Sequence, residues 1–336
     1  MTPLILCLAL FLCLGSDATE VRGMTISCQT WGQEWATDGF GDELDDLASL
    51  GVNWVAIHPY AGIRKDGSVR SRTLDPKDPP AWITRPIEKA HARGMSILVI
   101  PHLAQWGSGF SHRGAISFED EAAWTRFFDE YASWIASVAE IAAHADAFCV
   151  GSELGGTSHR TAEWRTVIDG VRAKTKAHLV YSANWDEVER VPFWDAVDCI
   201  GVQAYYPLSD KPSPARFELV AAWKPILQRL ELLHRRTGKP VVFTELGYNL
   251  SLDAARRPWD HRQAPETRRK SAEAIQTACL DAALSVLAND SDWLRGAFLW
   301  KWFVGPANDN FLLDTPAMRT VVRRAWKSTP DPSSTR

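Results

Sequence analysis

Short apolar runs, each long enough for one strand, alternate along most of the chain with longer stretches in which apolar residues recur every three or four positions. The first pattern suits a strand buried on both faces, the second an amphipathic helix. Eight strand-like runs occur, at Gly23–Cys28, Asn53–His58, Ser96–His102, Ala147–Glu153, Leu179–Asn184, Cys199–Tyr205, Val241–Glu245 and Gly296–Trp302. Helices are predicted over Asp42–Leu50, Ile83–Arg93, Glu119–Ala143, Thr161–Lys174, Ala215–Arg236, Glu266–Leu287 and Pro316–Trp326, with only the short stretch Glu187–Asp195 between the fifth and sixth strands. Helix-stop glycines follow several of these, as in Leu50-Gly51, Arg93-Gly94 and the run Gly238-Lys239-Pro240. Eight strand–helix repeats, with no Pro-, Gly- or Ser-rich linker between them, predict an α/β fold: a single-domain (β/α)8 TIM barrel.

The ends are read differently. Leu4 to Leu14 is apolar and runs into Gly15-Ser16-Asp17-Ala18, the pattern of a signal peptide over 1–18. Secretion or periplasmic release is expected, because bulky Leu12 before Cys13 disfavours a lipoprotein anchor. The barrel is assigned to 19–327, and the polar residues 328–336 are expected to form a flexible tail. Of six cysteines, Cys7 and Cys13 would leave with the signal, and Cys28, Cys149, Cys199 and Cys279 are too dispersed for a metal pair or a disulfide framework. They are expected to be buried free thiols.

Composition narrows the partners. With 46% hydrophobic and 23% charged residues and a net charge of −4, the chain is ordinary globular protein. No basic run is present, so a nucleic-acid partner is excluded, and no membrane span is expected once the signal is removed. A monomer is expected. Sixteen tryptophans are unusual, and although most should fill the core, their flat faces also suit stacking on sugar rings.

In such a barrel the reacting groups lie at the C-terminal ends of the strands. The fourth strand ends Gly151-Ser152-Glu153 and the seventh Thr244-Glu245-Leu246, placing two carboxylates across one mouth. A strand-end Glu is often half of an ion pair; two facing ones suit glycoside hydrolysis, where one carboxyl attacks the anomeric carbon and one protonates the leaving oxygen. His58, Tyr60, His102, Trp106, Asn184 and Trp185 also follow strand ends, and about half of them are expected to touch substrate. The loop Gly305–Phe311 lies on the same face and could bind hydroxyls or turn the chain.

The chain also resembles glycoside hydrolase family 113, a clan A barrel family of β-mannanases. The likeness runs through Gly51-Val52-Asn53-Trp54, Ala90-His91-Ala92-Arg93-Gly94, Pro101-His102, Val150-Gly151-Ser152-Glu153-Leu154, Tyr181-Ser182-Ala183-Asn184-Trp185, Asp198-Cys199-Ile200-Gly201-Val202-Gln203-Ala204-Tyr205, Thr244-Glu245-Leu246-Gly247-Tyr248 and Leu299-Trp300-Lys301-Trp302. It implies a retaining hydrolase of β-1,4-linked mannose, with Glu153 as acid/base and Glu245 as nucleophile. It also implies that Tyr205 bonds the nucleophile and that Trp300, or alternatively Trp302, floors the reacting sugar. The resemblance departs at Ser152, where many clan members carry an Asn that contacts the sugar's 2-hydroxyl.

The mechanism expected is double displacement without metal or organic cofactor, with Glu153 kept protonated by neighbouring negative charge and apolar surroundings. A metal-dependent hydrolase built on His58, His102 and Glu153 is a rival reading. It is weakened by the absence of a His-x-His pair on the first strand and by tryptophans in place of an Asp on the eighth. A second rival is an inactive carbohydrate-binding barrel, against which the paired carboxylates argue.

Overall fold

The computed structural model describes residues 20–288 and 292–327. The signal and tail assignments lie outside them. The strands, in chain order, are β1 (Val21–Ser27), β2 (Trp54–Ile57), β3 (Tyr60–Ile63), β4 (Val69–Arg70), β5 (Ser96–Val99), β6 (His102–Ala104), β7 (Ala147–Ser152), β8 (His178–Asn184), β9 (Cys199–Gln203), β10 (Val241–Leu246) and β11 (Leu294–Phe303). The helices are α1 (Asp38–Ser49), α2 (Ala81–His91), α3 (Glu121–Ile141), α4 (Thr161–Arg172), α5 (Arg216–Thr237), α6 (Arg269–Leu287) and α7 (Pro316–Lys327). Eight strands close a parallel barrel in the order β1-β2-β5-β7-β8-β9-β10-β11, the predicted fold.

Alternation along each strand sorts two cores. Inward positions carry a compact apolar plug of Val21, Ala56, Leu98, Cys149, Val180, Val242 and Phe298. Outward positions such as Met24, Ile26, Val55, Ile97, Phe148, Leu179 and Phe243 pack under the helices. The plug depends on a missing side chain, since a Cβ on Gly23 would stand 2.4 Å from the Phe298 ring. Toward the C-terminal ends the buried interior turns polar, with Thr25, Ser27, His58, His102, Ser152, Ser182, Gln203, Thr244 and Glu245. Cys149 and Cys279 are buried free thiols, while Cys28 is only half-buried.

A small outer sheet, not predicted from the sequence, stands above the barrel in the order β4-β3-β6. Its origin is two prolines. Pro59 and Pro101 lack the N–H that a continuing ladder needs, so β2 and β5 end at Ile57 and Val99 and resume beyond as β3 and β6. His102 N donates to Pro59 O at 2.8 Å across the break. The short stretch between β8 and β9 forms two 3-10 turns, Val188–Arg190 and Trp194–Ala196, in place of a helix. Helix ends follow local chemistry: Asp120 caps α3 by accepting from Ala122 N at 3.1 Å, and Gly238, at φ 70°, ends α5 in the left-handed region.

Candidate active site

Both carboxylate strands lose their regular alternation just before the mouth. Register slips between Cys149 and Gly151 on β7 and between Phe243 and Glu245 on β10, bulges that re-aim the residues beyond them. Glu153 leaves β7 altogether, with φ 58°, while its N–H donates to Ser182 O at 2.8 Å. Such a backbone costs a non-glycine residue about 1–3 kcal/mol and persists where surrounding structure imposes it.

Glu245 is 4% exposed, and its two oxygens are separately held. Tyr205 Oη donates to Oε2 at 2.7 Å, and Gln203 Nε2 donates to Oε1 at 3.1 Å. The same Gln203 amide reaches Ser152 Oγ at 2.9 Å, so Ser152 is buried beneath the mouth with its hydroxyl engaged. Glu153 is tied from the other side, where Arg113 Nη2 lies 2.9 Å from its Oε2. Burial works against the Arg113 cation, but Glu153 and the further groups Tyr60, Glu245 and Tyr205 hold it above its ordinary range.

The upward push falls on Glu245 rather than where the sequence placed it. Burial first, then the negative Glu153, push the Glu245 carboxyl up to about 8, against the lowering pull of Arg113, Tyr205 and Gln203. The sequence reading gave that push to Glu153. The reason for the difference is Arg113, on the 3-10 turn Arg113–Ala115, which faces Glu153 and has no motif of its own.

Aromatic and imidazole rings fill the adjoining wall. His58 and His102 stack with centroids 5.1 Å apart, and Trp300 lies 5.4 Å from His58. Burial, then nearby cations, holds His58 down at about 3, and burial likewise keeps His102 well below its usual value, so both rings are neutral. His58 Nε2 lies 3.1 Å from Ser27 Oγ, and His102 Nε2 lies 3.6 Å from Glu245 Oε1, beyond a normal hydrogen bond. Tyr60 touches both imidazoles and links them to exposed Trp106, 5.5 Å away. Lys301 Nζ stands 5.0 Å over the Trp300 ring while paired to Asp309 at 3.0 Å. The Trp300–Lys301 peptide is cis.

Glu153, Glu245, Tyr205, Ser152, His58, His102, Tyr60, Trp300 and, at the rim, Trp106 therefore form one connected cluster. Asn184 and Trp185 lie at the end of β8, the Asn184 amide near Gly114 on the turn that carries Arg113. Asn184 is tied to Glu187, and Trp185 stacks on Trp259 with centroids 5.7 Å apart. Trp302 is a correction. It is 1% exposed and donates its indole N–H to Glu43 Oε2 at 2.7 Å, so it packs beside α1 and offers no face to a sugar. Among the described residues no three His, Cys, Asp or Glu side chains group as a metal site. Arg113 and Gln203 were missed by the sequence reading; Gln203 was legible as an inward polar residue at the end of β9, whereas Arg113 lies in a loop without periodicity.

The model of Glycoside Hydrolase Family 113 matches residues 24–309, the whole barrel except its last helix and first strand residues. The chain belongs to this family. It is accordingly an O-glycosyl hydrolase. Among solved structures, this family 113 hydrolase resembles the β-mannanase AaManA from Alicyclobacillus acidocaldarius, in complex with ManMIm, at 25% identity. That match has a TM-score of 0.79 and covers 93% of this chain and 98% of that one. A second family 113 β-1,4-mannanase complex matches at 21% identity and TM-score 0.77, covering 93% and 100%. The β-glucuronidase from Ruminococcus gnavus shares the fold alone, at 11% identity and TM-score 0.60, covering 92% of this chain and 49% of that one. No curated protein sequence matches the chain.

Proposed function

We propose that the family 113 hydrolase cleaves β-1,4-linked mannose-containing glycans with retention, Glu245 acting as nucleophile and Glu153 as acid/base. The observation that carries this is the way Glu245 is held. A buried carboxylate that accepts from Tyr205 and Gln203 keeps a fixed orientation and is stabilised in its ionised form by both donors. The mannan specificity rests on the family and on the β-mannanases it resembles.

The active state holds one proton between the two carboxyls. The first step forms a bond from a Glu245 oxygen to the anomeric carbon. The glycosidic bond breaks and its electron pair leaves on the oxygen, which takes the proton from Glu153. With Glu245 neutralised as an ester, the Glu153 carboxylate removes a proton from water. The resulting nucleophile forms a bond to the anomeric carbon, and the ester bond breaks to return the Glu245 carboxylate. Buried polar atoms with no protein partner, His102 Nε2, Gln203 Oε1 and Arg113 Nη1, are the groups left to meet sugar hydroxyls or the leaving oxygen.

The test is reducing-sugar release from mannan, glucomannan, cellulose and xylan by the wild type beside Glu153→Gln and Glu245→Gln, with the anomer first formed read by NMR. Activity on mannan that both variants lose by at least about 10³-fold, with retention, is the expected result. Activity surviving in either variant overturns the carboxylate assignment, and preference for another glycan overturns the substrate.

A further inference from the structure

Beside the mouth, on the side of β1 and the outer sheet, lies a cavity of about 300 Å³ lined by Trp31, Tyr60, Trp82 and Trp134 together with Arg70 and Arg72. That volume is at the lower end of the roughly 300–1,000 Å³ typical of small-molecule sites. We propose that this cavity is a remote subsite for a sugar unit bearing a carboxylate, so that the enzyme favours β-glycans carrying an acidic unit. The inference rests on the glycan-hydrolase reading.

The aromatic lining is built rather than incidental. Trp31 keeps half its surface in water, 49%, while its backbone sits at φ 60°, in the left-handed region that bulky residues avoid. The turn that holds it there is fixed by the Glu34 carboxylate, which accepts from Thr30 N at 3.1 Å and also from Gln29 N and the Thr30 hydroxyl. A strained, exposed indole fills no core. It supplies a face, the surface that the C–H side of a sugar ring stacks on. Trp134, 5% exposed, backs the cavity from α3.

The cavity also belongs to the reaction site by contact. Glu245 lies 3.6 Å from His102, the His102 ring 5.7 Å from Tyr60, and the Tyr60 ring 5.8 Å from Trp31. A glycan threaded across the mouth would thus meet the cavity beyond the reacting sugar.

Charge sets the class of that unit. Arg70 and Arg72 are exposed on and just after β4. The acids near them are otherwise engaged: Glu130 accepts from Val69 N at 2.8 Å, and Asp66 accepts from Ser68 and pairs with Arg126. Neither Arg70 nor Arg72 is in an ion pair among the described residues. Two guanidinium forks beside aromatic faces match a planar carboxylate on a pyranose, which a hydroxymethyl group does not.

The experiment titrates the Glu245→Gln protein with neutral β-1,4-mannohexaose and with mannohexaoses carrying one carboxylate at either terminal unit. One of the acidic oligomers is expected to bind at least about tenfold tighter than the neutral one at low salt. That preference should vanish near 1 M salt, where the Debye length is about 3 Å, and in Glu245→Gln carrying Arg70→Gln and Arg72→Gln. A Trp31→Ala change in the same background is expected to weaken every oligomer. Equal binding of all three oligomers, or a preference that survives the double substitution, overturns the subsite. Because the titration needs no turnover, a wild type that cleaves no β-glycan would sink the functional reading alone, while cleavage of mannan without the arginine-dependent preference would sink the subsite alone.

Discussion

Arg113 is the residue on which the protonation of this site turns. Its guanidinium meets Glu153 at 2.9 Å and pulls the Glu245 carboxyl downward, opposing burial. Removing it leaves the pair without its opposing cation, so the shared proton is held to higher pH. Arg113→Gln is therefore expected to lower kcat/KM on the best substrate by about 10- to 100-fold and to shift the alkaline limb of the kcat/KM profile upward, with Arg113→Lys recovering part of both. An alkaline limb that stays in place would show that Arg113 only orients. The two carboxylates were legible as the polar ends of apolar runs, whereas Tyr205 came through the family resemblance and Gln203, though an inward polar residue on β9, was passed over. Arg113 was not legible, because nothing in a loop's composition tells which side chain will fold back over the mouth. Trp300 and Trp302 show the opposite failure. Two residues apart on one strand, they should share a face, yet only Trp300 meets the His58 ring while Trp302 bonds Glu43. The register against β1 slips beside them, between Met24 and Ile26, and simple alternation does not hold through such a slip.

At the scale of elements, Glu153 is positioned by two short turns pressed together. Gly155–Thr157 follows Glu153, and Arg113–Ala115 carries its partner. Their approach needs glycine, because a Cβ on Gly156 would stand 2.4 Å from Ile116 O and 2.8 Å from Gly114 O. Gly156→Ala must part the turns and with them Arg113 and Glu153. We expect kcat to fall by about 10²-fold, the cost of displacing a reacting group by roughly 1 Å, with far-ultraviolet circular dichroism unchanged. Wild-type kcat in this variant would mean that the turns adjust independently. Neither turn was visible in the hydrophobic pattern, nor was the outer sheet; periodicity reports burial along an element, and these pieces are too short to have a period. The eight strands and seven long helices were legible for the converse reason, since each buries a face over several turns or alternations.

Across the whole molecule, an apolar plug at one end of the barrel gives way to a buried polar layer at the other, and a carboxylate sits at the top of that layer. This arrangement costs stability in a pH-dependent way. Glu245 has a folded value of about 8 against an ordinary value of 4.5. The folded state thus binds its proton more tightly than the unfolded state does. Its contribution is fully present below about pH 4.5 and is lost as pH rises through 8. A neutral glutamine of the same shape escapes that loss. Glu245→Gln is therefore expected to match the wild type near pH 4.5 and to melt higher at pH 8, by roughly 5 °C for a domain of this size. Thermal denaturation from pH 4.5 to 9, followed by near-ultraviolet circular dichroism, reads the gap directly. A gap that widens with pH shows a site kept against the stability of the barrel, as a nucleophile would require. A constant gap would mean that Tyr205 and Gln203 fully offset the burial of Glu245, and a gap that narrows would mean that the proton of the pair resides on Glu153.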